Sequence, residues 1–177
     1  MWGRIPVPVP QGVRAGFALP ASQATGSGEV VIPFAVRRTQ AKRIAFLVDY
    51  SGSMEGPFRK AMEKRLEESL KALPAGIRSQ TTLPGGTDWR SPFHYAMEAN
   101  PPPDAIFSMT DGQIPPDNIG KKLAQIHTEI QKVRQPPVVN CLWIENPKWS
   151  PDAMKKLAAR YQGEFREIDK NGVVKEK

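Results

Sequence analysis

Three short apolar runs constrain this chain more than anything else in it: Ile44 to Val48, Ala105 to Met109 and Val138 to Ile144. Each is too short for a helix buried on all sides and reads as a strand covered on both faces. Between and after them lie helical stripes. After a turn at Gly56-Pro57, the residues Phe58, Met62, Leu66, Leu70 and Leu73 recur at steps of four and three, and Pro74-Ala75-Gly76 stops the helix. Ser91-Pro92 opens a short second helix that cannot outlast Pro101 to Pro103. A third helix carries Ile119, Leu123, Ile126, Ile130 and Val133. Ser150-Pro151 starts a fourth, with Met154, Leu157 and Tyr161 inward and Gly163 as its stop. Phe165 and Ile168 mark a final strand. Strands alternating with helices of this length predict an α/β, Rossmann-like fold, a mainly parallel sheet flanked by helices on both faces.

Composition sets the outer limits. A chain of 177 residues holds one well-cored domain plus a tail. Residues 1–28 alternate Pro, Gly, Ala and Val without periodicity and read as an extended arm, leaving 29–177 as a single domain. Val30 to Val36 is a candidate strand, which Pro33 restricts to an edge or a bulge. The net charge of +7 favours acidic partners without specifying a fold. The basic pairs Arg37-Arg38, Lys42-Arg43 and Lys121-Lys122 read as solvated faces, because no aromatic platform interleaves with them. No segment is long and apolar enough to span a membrane, and the N-terminus lacks a signal-peptide core. The single cysteine, Cys141, lies in an apolar run and reads as a buried small hydrophobe. Localisation is left open by these features, with the cytoplasm favoured.

Chemistry is expected at the carboxyl ends of the strands, where the strand order reverses. Three polar clusters fall there: Asp49-Tyr50-Ser51-Gly52-Ser53 after the first run, Thr110-Asp111-Gly112 after the second, and Gly85-Gly86-Thr87-Asp88 before the short helix. Asp49, Ser51, Ser53, Thr87 and Asp111 offer two carboxylates and three hydroxyls, all hard oxygen. A small hard dication such as Mg²⁺ prefers that set, with Mn²⁺ or Ca²⁺ as alternatives. Residues two apart off an extended end point the same way, which accounts for the spacing of Asp49, Ser51 and Ser53, and Gly52 is expected to permit a tight turn between the hydroxyls. Neutral hydroxyl ligands leave the ion much of its charge, which favours an anionic ligand from outside. Taken singly, each cluster would more often be a helix cap. His94 and His127 have no metal-type spacing and read as helix-flank residues.

These stretches, Ile44 to Met54, Gly85 to Asp88 and Phe107 to Gly112, resemble the von Willebrand factor type A domain with its metal-ion-dependent adhesion site: Asp-x-Ser-x-Ser, a distant Thr and a later Asp-Gly. The Ser-Gly-Ser-Met-Glu-Gly run is closest to bacterial members. The element order agrees from about Lys42 to Ile168. The resemblance implies that Ser51, Ser53 and Thr87 bind the ion directly, that Asp49 and Asp111 often act through water, and that an Asp or Glu of a partner protein completes the shell. Tyr50, Gly52, Met54, Asp88, Trp89 and Gly112 are then the partner-contact positions, although Trp89 packing over the short helix is an equal expectation.

One segment departs from the family. Only Gly76 to Pro84 separates the first helix from Gly85, so the usual edge hairpin and following helix are absent, and the polar stretch Ile77 to Leu83 stands in for the strand beside the first. A shortened sheet exposes an edge that invites self-association, or is covered by Val30 to Val36 or a partner chain. The expected function is Mg²⁺-dependent protein binding without catalysis. The alternatives are a metal-dependent phosphoryl-transfer enzyme or hydrolase, an RNA- or DNA-binding protein of the same domain type, and a structural remnant. Against an enzyme, no second carboxylate stands two residues after Asp49 and no general base lies close in sequence.

Overall fold

The computed structural model describes residues 30–32, 37–39, 41–73, 78–82, 88–112, 116–146, 148–169 and 173–175. The expected arm at residues 1–28, Pro33 to Val36, the helix stop at Pro74 to Gly76, and Thr87 lie outside them. The protein is α/β and Rossmann-like. Its main sheet is built from β3 (Arg43–Val48), β4 (Arg78–Thr82), β5 (Ala105–Thr110), β6 (Val138–Ile144), β7 (Phe165–Ile168) and β8 (Val174–Lys175), in the order β4-β3-β5-β6-β7-β8. All neighbours pair parallel except β7 and β8, which pair antiparallel. The crossovers are α1 (Pro57–Ala72), α2 (Arg90–Met97), α3 (Ile119–Ile130) and α4 (Asp152–Arg160).

The central strands β3, β5 and β6 are buried on both faces because they are apolar on both. On β3, Ala45 and Leu47 face a core shared with Trp89 and Phe93 at α2, Ile126 and Ile130 of α3, and Met154 and Leu157 of α4. The alternate residues Ile44, Phe46 and Val48 face Met62 and Leu66 of α1. Phe46 and Phe107 sit opposite each other in register, both inaccessible to solvent, with ring centroids 5.7 Å apart. Burying a side chain of that size stabilises the fold by ~2–3 kcal/mol. At the other end of these strands, Asp104 Oδ2 accepts the backbone N–H groups of Lys42 and Arg43, each at 3.0 Å, which fixes the start of β3 against β5.

Several expectations need correction. Val30–Ile32 (β1) pairs antiparallel with Arg37–Thr39 (β2) in a separate two-stranded sheet and lies near α1. It does not cover the outer edge of β4, which no strand pairs among the described residues. The strand expected at Ile77 to Leu83 does form, as β4 parallel to β3. Phe165–Ile168 is not the last strand, since β8 turns back on it. Gly163 is not the left-handed residue that ends α4; Gln162 takes that conformation, with φ of 56°. The Gly163 N–H then donates to the Ala158 carbonyl at 2.9 Å, closing a Schellman turn. Glycine is required there for another reason, because a Cβ would lie 1.8 Å from the Val139 carbonyl oxygen.

Candidate functional site

In chain order of the parallel strands the sheet reads 2-1-3-4-5, so its switch point lies between β3 and β5. The chain leaves both strands there in polar residues. Asp49 follows β3, its N–H donating to the Met109 carbonyl at 3.0 Å, and its side chain turns back to accept the Ser51 N–H at Oδ1, 2.8 Å away. This is an Asx turn, the local geometry an aspartate favours at such a position. A 3-10 turn at Gly52–Met54 follows, and it folds Ser53 back so that its Oγ lies 2.9 Å from Ser51 Oγ. The two expected hydroxyl ligands therefore converge. Gly52 is not the glycine the turn needs: a Cβ there would meet open space. Gly56, with φ of 81°, makes the entry into α1, and Pro57 follows it.

The second cluster meets the first directly. Thr110 donates from Oγ1 to Asp49 Oδ2 at 2.6 Å and accepts the Gly112 N–H at 3.1 Å. Asp111 is 2 % exposed, close enough that its charge raises the Asp49 carboxyl. Burial is the larger influence on Asp49 and pushes it the same way; together they outweigh the Thr110 and Ser51 donors, so the carboxyl titrates above the ordinary aspartate range. Asp111 is gripped from β6 and the loop after it. The Trp143 indole donates to its carbonyl at 3.0 Å, and Asn146 Nδ2 donates to its Oδ2 at 3.0 Å.

Four of the five expected ligand residues, Asp49, Ser51, Ser53 and Asp111, thus stand at one switch point. The fifth, Thr87, lies outside the described residues, although Asp88 beside it reaches the same rim. A small open cleft runs from Asp49, Ser108 and Thr110 to Asp88, Trp89 and Phe93. The donor chemistry fits a small hard cation: paired hydroxyls, and a half-buried carboxylate (Asp49) beside a buried one (Asp111) that repels it. Among the described residues no three His, Cys, Asp or Glu side chains cluster as a metal-binding group, so the hydroxyls are essential to any such site.

The contact positions divide. Met54 is fully buried against α1 and Gly112 is buried, so neither is a surface for a partner. Gly112 takes φ of 77°, and a Cβ there would meet Trp143 Nε1 at 3.1 Å. Trp89 is 9 % exposed and packs in the core, which decides for its packing role. Asp88 is exposed and caps α2: it accepts the Arg90 N–H at 3.0 Å and the Ser91 hydroxyl, with Lys122 Nζ at 3.8 Å. Desolvation acts upward on Asp88, but these partners hold its carboxyl below the usual range. Gly52 is exposed and Tyr50 half-buried. Tyr50 donates to Glu63 Oε1 at 3.0 Å beneath the Arg59 guanidinium, 5.2 Å from its ring.

Sequence reading missed Asn146, Trp143 and a buried carboxylate that seats α2. Glu129, 1 % exposed, accepts Arg90 Nε at 2.8 Å, shares a bond of 2.9 Å with His94 Nδ1, and pairs with Lys132. His94 is thus a hydrogen-bond partner of Glu129, and His127 Nδ1 bonds Tyr161 Oη at 2.6 Å. A glutamate three residues after Ile126, inside the apolar stripe of α3, was the available signal for Glu129. Nothing local marks Asn146. No protein-family model and no curated protein matches this chain, so its function is argued from these residues.

Proposed function

We propose that the chain is a Mg²⁺-dependent protein-binding module of the von Willebrand factor type A kind, which recognises an acidic side chain of a partner and catalyses no reaction. The observation that carries the reading is the convergence at the β3–β5 switch point of the Ser51 and Ser53 hydroxyls, 2.9 Å apart, with an Asp49 carboxyl that burial and Asp111 both destabilise as an anion. Asp49 is held by neutral donors, the Ser51 N–H and the Thr110 hydroxyl, which orient it without neutralising it. Ser51, Ser53 and Thr87 would hold Mg²⁺, or Mn²⁺ or Ca²⁺ in its place, with Asp49 and Asp111 acting directly or through water. Bound there, the cation supplies a hard positive centre whose open position accepts a carboxylate.

Around it, the chain's own residues perform the rest. The Asx turn at Asp49 and the 3-10 turn fix the two hydroxyls, and exposed Gly52 leaves room for a partner to approach. Tyr50 and Asp88 flank the approach. Calorimetric titration with Mg²⁺ tests the reading. The wild type is expected to give a saturable isotherm, and Asp49→Ala to weaken it at least ~10-fold. Equal isotherms for the two proteins would overturn it. An acidic peptide should then bind only when Mg²⁺ is present and dissociate on chelation.

A further inference from the structure

Asn146 lies 35 residues beyond Asp111, in the loop that leaves β6, and the site reading does not use it. Both ends of its side chain are occupied. Oδ1 accepts the Lys148 N–H at 3.0 Å, while the Trp149 N–H donates to the Asn146 carbonyl at 3.1 Å, so the loop is a closed Asx turn. With a backbone N–H on Oδ1, the amide can face Asp111 only with its NH₂ group, and Nδ2 lies 3.0 Å from Asp111 Oδ2. The Asx turn requires the oxygen alone. The bond from Nδ2 adds nothing to the turn and acts only on Asp111.

We propose that Asn146 is a positioning residue of the candidate metal site, its turn-locked amide fixing the Asp111 carboxylate while the Trp143 indole fixes the Asp111 main chain. The inference rests on the metal-binding reading above. Asp111 is gripped at two points by one neighbouring segment: Trp143 Nε1 on its carbonyl and Asn146 Nδ2 on its carboxylate. The Ser150 carbonyl, in the same loop, lies 3.5 Å from where a Gly112 Cβ would stand, so the loop also packs on the residue after Asp111. A buried carboxylate without such a donor samples other rotamers, and holding it in one lowers the entropic cost of gathering oxygens around an ion.

The test compares wild type, Asn146→Ala and Asn146→Ser by Mg²⁺ calorimetry, thermal unfolding without metal, and the Asn146 side-chain amide signals in an ¹H–¹⁵N spectrum. Serine keeps an acceptor for the turn but is too short to reach Asp111. Asn146→Ser is expected to unfold near the wild-type temperature and to bind Mg²⁺ ~10-fold more weakly, with Asn146→Ala at least as weak. In the wild type the Asn146 side-chain signals are expected to shift as Mg²⁺ saturates the site. Wild-type affinity in Asn146→Ser, or side-chain signals that stay fixed while the Ser51 amide shifts, would overturn the role of Asn146 and leave the metal site standing. No Mg²⁺ binding by the wild type would overturn both.

Discussion

Among the described residues, the carboxylate clusters at Glu129 and at Asp49 are resolved in opposite ways. Glu129, between α2 and α3, is met by Arg90, His94 and Lys132. Burial works against its charge, yet those three partners prevail and hold its carboxyl at about 2. The Asp49 carboxyl, at the switch point, is driven up by its burial and by the charge of Asp111, which the Thr110 hydroxyl and the Ser51 N–H only partly offset. The first cluster is closed and completes a helix packing. The second holds negative charge in a form that a cation from solution would relieve. Burial alone does not set the state of a carboxylate; what surrounds it does.

The largest expected effect comes from breaking the closed cluster. Glu129→Ala leaves three basic groups around a void and should lower stability by about 2–3 kcal/mol, moderated because Arg90 and Lys132 are half-exposed and solvent screens them. Urea unfolding measures it. The same cluster gives a pH dependence of known sign. The folded Glu129 titrates at about 2, below the 4.5 of an unconstrained glutamate, so the unfolded chain takes up the proton first. Its stabilisation is complete above 4.5 and is lost as pH falls toward about 2, and Glu129→Ala should abolish that part of the acid transition.

Thr110→Val should be next in size. It removes the hydroxyl that donates to Asp49 at 2.6 Å and leaves a half-buried carboxylate oxygen without its donor, at a cost of ~1–2 kcal/mol without metal. Calorimetry should show weaker Mg²⁺ binding as well. The smallest change in stability has the reverse sign. Asp49→Asn deletes a charge that burial and Asp111 both oppose, so the metal-free variant should unfold at a slightly higher temperature, and it should not show the Mg²⁺-induced rise expected of the wild type. If Asp49→Asn proved as destabilising as Glu129→Ala, the contrast between the two clusters would collapse.

The sequence made some of this legible and hid the rest for physical reasons. Ile44 to Val48 reads as a buried strand because its apolar run is continuous, Ala105 to Met109 because only Ser108 interrupts it, and both form buried strands. Asp49, Ser51 and Ser53 read as a unit because their geometry is made within five residues, by an Asx turn and a 3-10 turn. Contacts between distant segments leave no local trace: Asn146 and Trp143 reach Asp111 from 35 and 32 residues away. The short strands β2 and β8 have no periodicity to read, and their pairing is set by the neighbours they meet. Gly163 reads as a helix stop, but glycine is required there by the close approach of the Val139 carbonyl, which cannot be seen from the helix that ends before it.

If one cation joins the residues at the β3–β5 switch point, anomalous scattering from a crystal grown with Mn²⁺ will locate it. The expected result is a single strong peak roughly 2.0–2.2 Å from Ser51 Oγ and Ser53 Oγ, with the Asp49 and Asp111 carboxylates around it. A switch point without a peak, its two serine hydroxyls still 2.9 Å apart and bonded to each other, would contradict the account.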